Sequence, residues 1–199
     1  MDYWYLWVIF AVLCVLTVFV LIKASSSSKR HKLDCERETK EIERLRALKD
    51  KFISFDKNTA SETDAETLLE AVCVVMQVKV QKNEDTETVF SEFSTPCKYV
   101  YTLNYIIEDC EAEALSFFFK NNGEPLISLS VDALSAIGEK ELSAICCQEF
   151  SMYDGNNEDV SFNEKEIEKL DSQFSTIYDR TKILSEIKAY IIANIADFQ

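Results

Sequence analysis

Apolar residues follow two different patterns along this chain, one continuous and one interrupted. Residues 3–22 form an unbroken apolar run with no charged side chain. A helix rises about 1.5 Å per residue, so this run would span roughly 30 Å, the thickness of the hydrocarbon core of a bilayer. From residue 33 onwards, apolar positions recur instead at intervals of three or four, which is typical of helices with one buried face. The pattern predicts one N-terminal transmembrane helix followed by a helical domain.

The residues flanking the apolar run predict its orientation. Aromatic side chains occupy its first positions, where amphipathic rings favour the headgroup region. Four lysines and arginines follow in residues 23–32, whereas Asp2 is the only charged side chain before the run. The positive-inside rule therefore predicts a single-pass protein of the cell membrane, with its N-terminus outside and residues 23–199 in the cytoplasm.

A cleaved signal peptide is the alternative interpretation of the same run. Signal peptides have a basic first region and an apolar stretch of about 7–15 residues. Here the first region carries Asp2 and the stretch is longer. Both features favour a retained anchor over a cleaved signal.

The remaining residues, 33–199, have the size of one domain, and their composition favours helices. The whole chain holds three glycines and two prolines, whereas a β-sandwich of this size needs many more turn residues. We therefore expect an all-α, compact domain of six to eight helices. The predicted organisation is a transmembrane anchor at 1–22, a basic Ser-rich juxtamembrane linker at 23–32, a charged exposed helix and linker at 33–60, and a helical domain at 61–199.

Capping residues and periodicity place individual helices in the domain. Ser61 with Asp64 resembles a capping box that opens a helix after a polar break at 55–61. Thr95-Pro96 predicts another helix start, because proline is favoured at the first helical position. The later helices are expected at 126–137, 139–150, 164–177 and 181–196.

The sequence leaves the secondary structure of one segment open and predicts two helix ends. Residues 72–80 are rich in β-branched side chains, so local periodicity leaves strand and helix both open. Residues 121–123, Asn-Asn-Gly, predict a left-handed end to the preceding helix, and Gly138 predicts a second such end.

The charge of the chain limits the choice of partners. Its net charge is −14, and because residues 1–32 carry a net +3, residues 33–199 carry −17. Nucleic acid is not expected as a direct ligand, since phosphate contacts need Lys and Arg. A basic protein partner is compatible with this charge, and so is a solvated surface that only maintains solubility.

The residue types that support most catalysis and metal binding are scarce. The single histidine, His31, lies in the basic linker, so the domain can assemble no His-dependent triad or Cys–His dyad. The cysteines lack C-x-x-C spacing and are expected to be reduced thiols, and no phosphate-binding glycine loop exists. We therefore expect no enzyme activity, no cofactor and no metal. The catalytic alternative is a carboxylate-dependent hydrolase that uses Glu108, Asp109, Glu111 or Glu113.

Two acidic segments are the candidate surfaces for a basic partner, one before the phenylalanine run and one towards the C-terminus. An ordinary solvated helix face is the competing interpretation of both. Their predicted partner-binding carboxylates are Glu108, Asp109, Glu111, Glu113, Asp154, Glu158, Asp159, Glu164, Glu168 and Asp171.

The order of several segments after residue 95 resembles a known family. The segments are Tyr99–Tyr105, Phe117–Glu124, Val131–Gly138, Leu170–Phe174 and Ala189–Phe198. In this order and spacing they resemble the bacterial family named after DNA-mimic protein 19, mostly described as a domain of unknown function, over about residues 95–199.

The resemblance implies an all-helical, acidic protein whose carboxylates imitate DNA phosphates towards a basic DNA-binding partner. One departure concerns the residues before the phenylalanines. Where the family has Asn-Gly-Gly-Phe, this chain has Glu111-Ala112-Glu113-Ala114. The alternative function is that of a structural or immunity-type membrane protein without DNA mimicry, whose charge only keeps it soluble.

Overall fold

The computed structural model describes residues 36–81, 86–153 and 164–198, and these residues form helices and short connections without a strand. The all-α class is thus confirmed. The helices are α1 (36–52), α2 (Lys57–Glu62), α3 (Ala65–Gln81), α4 (Thr86–Glu92), α5 (Thr95–Ala112), α6 (Leu115–Asn121), α7 (Leu126–Ala136), α8 (Lys140–Phe150), α9 (Glu164–Ile177), α10 (Arg180–Ala193) and a closing 3-10 turn (Ile195–Phe198).

The expected number of six to eight helices was too low, since the described residues hold ten α-helices. Two of the helices, α2 and α4, have only six and seven residues. Such short segments span two turns or fewer, so they display too few apolar positions for a helical period. The polar break expected at 55–61 therefore contains most of α2.

Polar side chains cap the starts of several helices. The backbone N–H of Thr59 donates to Asp56 at 2.8 Å, and that of Cys97 donates to Ser94 at 3.4 Å. For α3 the cap is Asp64, whose carboxylate accepts from the backbone N–H of Thr67 at 2.9 Å. The predicted capping box at Ser61 was wrong because Ser61 still belongs to α2.

Residues 72–80 are helical and lie within α3. β-branched side chains of this stretch contribute to the core, since Val72 and Val75 are at most 9% exposed. Packing of an apolar face outweighs the weak preference of β-branched residues for strands.

The two predicted left-handed helix ends have different outcomes. Gly138 follows α7 with a φ of +96°, so a glycine end is confirmed there. The end of α6 is instead extended, with Asn122 at φ −108°, and the prediction of a left-handed cap at 121–123 was wrong. The side-chain amide of Asn122 donates to the Phe118 carbonyl at 2.9 Å and so satisfies one of the carbonyls left open at the helix end.

Helix α5 lies at the centre of the helical packing, in contact with α3, α6, α7 and α10, while α8 packs between α7 and α9. The core is a single cluster of large apolar side chains contributed by most of the helices. Its fully buried members include Phe52, Leu68, Leu103, Ile106, Leu115, Phe118, Ile127, Leu134, Leu142, Phe174, Ile183 and Ile187.

The chain divides into two compact units, residues 1–47 and 48–199. In the first unit, described residues 36–47 form an exposed helical segment that contains an ion pair between Arg44 and Glu41 at 2.6 Å. Across the ranges that the structure describes, no helix is both long and apolar enough to cross a membrane. The predicted anchor at 3–22 and linker at 23–32 lie outside the described residues.

Candidate functional site

The carboxylate of Asp109 lies near the end of α5 and is used within the fold. Its two oxygens accept hydrogen bonds from the side-chain amides of Asn121 at 3.1 Å and Asn122 at 2.6 Å. These bonds tie the end of α5 to the end of α6. Asp109, a predicted partner-binding residue, therefore has a structural role here.

Glu111 is likewise engaged by another part of the fold. Arg180, the first residue of α10, lies 2.5 Å from Glu111 through Nε and donates through its terminal nitrogen to Glu66 at 2.8 Å. The Glu111 contact is a close ion pair without hydrogen-bond alignment, since Arg180 Nε has no hydrogen-bond partner. The guanidinium thus neutralises part of the charge on α3 and α5.

Glu108 and Glu113 keep their carboxylates exposed on the same stretch of chain. Glu108 accepts from the Asn104 amide at 2.8 Å, one turn earlier on α5. Glu113 is the residue that follows α5, at its C-cap position, and among the described residues nothing forms an ion pair or hydrogen bond with its side chain. Its φ is −150° and that of Ala114 is −166°. Because both values are negative, the turn formed by this chain needs no glycine.

Asp171 on α9 supplies a cap that α6 lacks in its own sequence. The N-cap position of α6 is Ala114, which has no capping side chain. Asp171 instead accepts from the backbone N–H of Ser116 at 2.9 Å and from its hydroxyl at 2.8 Å. Asp171 is also half-buried. Its carboxylate therefore has a structural role and is not open to a partner.

The Ser116–Asp171 contact brings the turn after α5 beside α9. Glu168 and Glu164 precede Asp171 by three and seven residues, so all three share one face of α9. Glu164 and Glu168 are exposed, and Glu113 lies three residues before Ser116. We define the acidic ridge as Glu113, Glu164 and Glu168.

The remaining predicted carboxylates, Asp154, Glu158 and Asp159, lie outside the described residues. The structure thus divides the other candidates into two groups. Asp109, Glu111 and Asp171 each pair with another part of the fold, although Glu111 is itself exposed. Glu108 and the acidic ridge remain exposed.

The sequence analysis missed Glu149, a carboxyl group in an unusual environment on α8. It is only 3% exposed, and its Oε2 has no hydrogen-bond partner. Burial, together with the nearby negative charge of Asp171, raises the pKa of Glu149 to about 8, while Lys120 acts in the opposite direction. A signal did exist, because Glu149 follows the buried Leu142 and Cys146 at helical spacing on α8.

The described residues contain no group of three or more His, Cys, Asp or Glu side chains arranged to hold a metal ion.

Comparison with known protein families gives a match. A family model described as DMP19-like protein matches residues 91–194, more than half of the chain, and the family predicted from the sequence is thereby confirmed. The comparisons with curated proteins and with solved structures found no match.

Proposed function

The chain belongs to the family of DMP19-like proteins, and from this premise we propose that its acidic ridge binds a basic, DNA-binding protein in place of DNA. The observation that carries the proposal is the division among the candidate carboxylates. Three pair with another part of the fold, whereas Glu113, Glu164 and Glu168 stay exposed on the two segments that the Ser116–Asp171 contact joins. Their charges are available to an external cation.

The spacing of these charges supports recognition by a regular basic surface. Glu164 and Glu168 are four residues apart, which corresponds to about 6 Å along a helix axis. A protein that binds DNA presents lysines and arginines to a row of evenly spaced negative charges. A helix with carboxylates on one face offers such a row on a rigid support.

Long-range attraction would drive the encounter, and salt would weaken it. The net charge of −14 attracts a basic surface before contact is made. Screening limits this attraction to a Debye length of about 8 Å at physiological ionic strength. Binding through the acidic ridge is therefore expected to weaken steeply as salt is added.

Displacement from DNA tests the proposal directly. Proteins of the native host would be loaded on immobilised double-stranded DNA, and the full-length protein would then be added at low salt. We expect release of a specific DNA-binding protein, and loss of that release when Glu113, Glu164 and Glu168 are changed together to Lys. Absence of any displaced protein at low salt would contradict the proposal.

A matched control separates the ridge from total charge. Glu62, Asp132 and Glu141 are exposed acids on α2, α7 and α8, and their joint change to Lys alters net charge by the same amount. This control variant should keep most of the displacing activity. Equal loss in both triple variants would show that overall charge, and not the acidic ridge, is responsible.

We further propose that residues 3–22 tether this module to a membrane. The support is the unbroken apolar run and the basic residues that follow it. The full-length protein should stay in the membrane fraction after an alkaline carbonate wash, and a variant lacking residues 1–22 should leave it. Extraction of the full-length protein by carbonate would refute the tether.

The exposed thiol of Cys147 provides a test of orientation. With residues 23–199 in the cytoplasm, a membrane-impermeant maleimide should label Cys147 only after the cells are permeabilised. The variant Cys147→Ser identifies the signal from this site. Labelling of Cys147 in intact cells would place the domain on the outer side.

A further inference from the structure

The domain contains a cavity whose lining includes no residue of the acidic ridge. The proposed function does not use this cavity. Its volume is about 170 Å³. It is formed where the end of α1, the middle of α3, the start of α5 and the closing 3-10 turn meet. Its inner walls are apolar side chains that are at most 9% exposed, among them Phe52, Phe55, Val75, Met76 and Phe198.

The cavity combines apolar inner walls with a charged, open mouth. An enclosed apolar cavity of about 150 Å³ is large enough for benzene, and the present cavity is of similar volume. The present volume therefore accommodates an aliphatic or phenyl side chain. A ligand that places such a group there gains the burial of apolar surface, worth roughly 25 cal/mol per Å².

Charges of both signs surround the mouth of the cavity. Lys79, Glu92 and Asp197 line it and are exposed, so they lie at its solvent end. The ammonium of Lys79 is 6.0 Å from the centre of the Phe93 ring, which keeps it at the rim. A ligand with a single charge would meet a like charge at this mouth, whereas a zwitterion pairs with both.

One wall of the cavity is held in place by a thiol. Cys97 on α5 donates through Sγ to the backbone carbonyl of Asp197 at 3.1 Å, which anchors the 3-10 turn beside α5. The backbone of Asp197 is thereby held at the edge of the cavity, with its side chain exposed at the mouth.

We propose that this cavity binds a free apolar amino acid, with its side chain among Phe52, Val75 and Met76, its ammonium group at Glu92 and Asp197, and its carboxylate at Lys79. The site is separate from the acidic ridge. Failure of partner binding would leave this proposal intact, and failure of amino-acid binding would leave the proposed function intact.

Calorimetric titration of the full-length protein with L-leucine tests the proposal. We expect saturable binding, and affinities about tenfold weaker for isoamylamine, which lacks the carboxylate, and for isocaproate, which lacks the ammonium group. Glycine, without an apolar side chain, should not bind. No binding of L-leucine up to about 10 mM, or equal binding of either singly charged analogue, would overturn the proposal.

Variants assign the binding to this cavity. Val75→Phe fills the interior and should abolish binding, with retained folding checked by circular dichroism. The exposed changes Asp197→Asn and Lys79→Gln keep the interior intact and should each weaken binding about threefold or more, as expected for loss of one exposed ion pair. Asp132→Asn on α7 is the matched control and should have no effect. Unchanged affinity in both mouth variants would overturn the proposal even if Val75→Phe failed to fold.

Discussion

Glu149 shows how a single residue can make the whole domain sensitive to pH. Its carboxyl group is buried beside Asp171, with Cys110 and Cys146 also near enough to interact electrostatically and Lys120 as the compensating positive charge. A buried carboxyl is favoured in its neutral form, because no water solvates the charge. The folded protein therefore holds this proton over a wider pH range than the unfolded chain does.

The raised pKa of Glu149 predicts loss of stability as the pH rises. The unfolded pKa is near 4.5 and the folded pKa about 8, so the folded state binds more protons between these values. One pKa unit corresponds to about 1.4 kcal/mol, so the ionised Glu149 lowers the free energy of unfolding above pH 8 by up to roughly 5 kcal/mol relative to pH 4. In urea titrations at pH 5, 7 and 9, Glu149→Gln should remove most of this decline. Parallel pH curves for the two proteins would contradict the prediction.

Two glycines offer a matched test of backbone strain at the residue scale. Gly138 has φ +96°, whereas Gly123 does not have a positive φ, and a Cβ at either position would meet no atom within 4 Å. The substitutions therefore differ only in backbone conformation. Gly138→Ala should lower the free energy of unfolding by about 1–2 kcal/mol. Gly123→Ala should be neutral or raise it by up to about 1 kcal/mol. Equal thermal midpoints for the two variants would show that the positive φ carries no cost.

At the scale of elements, α6 depends on its neighbours for both of its ends. A helix of seven residues is too short to be stable alone. Asp171 on α9 satisfies its first turn, and Asp109 on α5 holds the asparagines at its last. These carboxylates thus connect three helices around the phenylalanine run.

Removal of the cap on α6 should lower the stability of the domain. Asp171→Ala deletes two charge-assisted hydrogen bonds to Ser116 and should lower the free energy of unfolding by about 1.5–3 kcal/mol. Glu168→Ala, one turn earlier on α9 and exposed, should stay within about 0.5 kcal/mol. Chemical denaturation of both variants checks the difference. An Asp171→Ala variant as stable as Glu168→Ala would mean that water caps α6 equally well.

Sequence patterns predicted a helix well where the residues that stabilise it lie within it or directly before it in the sequence. Pro96 marked the start of α5, and periodicity placed the later helices within a few residues of their observed bounds. The cap of α6 escaped prediction because Ser116 and Asp171 are 55 residues apart. For the same reason, sequence alone did not distinguish structural from exposed carboxylates. Asp109 and Glu113 have similar neighbours in the sequence, and only tertiary contacts separate them.

At the scale of the whole molecule, excess negative charge opposes compaction. The net charge is −14, and few cations offset it where carboxylates crowd together. Arg180 bridges Glu66 and Glu111, and Lys182 pairs with the buried Glu139 at 2.7 Å. The exposed carboxylates that have no cation nearby repel one another, and salt screens that repulsion.

Moderate salt should therefore stabilise this protein. We expect the thermal midpoint of the full-length protein, followed by circular dichroism, to rise between 0.02 and about 0.3 M sodium chloride because screening reduces self-repulsion. The triple change of the acidic ridge to Lys should make that rise smaller. A midpoint that falls with salt would show that internal ion pairs outweigh the repulsion.

The cavity between Phe52 and Phe198 has a consequence for biosynthesis. Its opposite walls come from residues 146 positions apart, near the beginning and the end of the second compact unit. A nascent chain emerges from the ribosome with its N-terminal part first. Helices α3 and α5 can pair during translation, but the part of the cavity wall that Phe198 supplies is missing until residue 198 has emerged. We therefore expect the apolar side chains around Phe52 to be accessible to chaperones until late in translation.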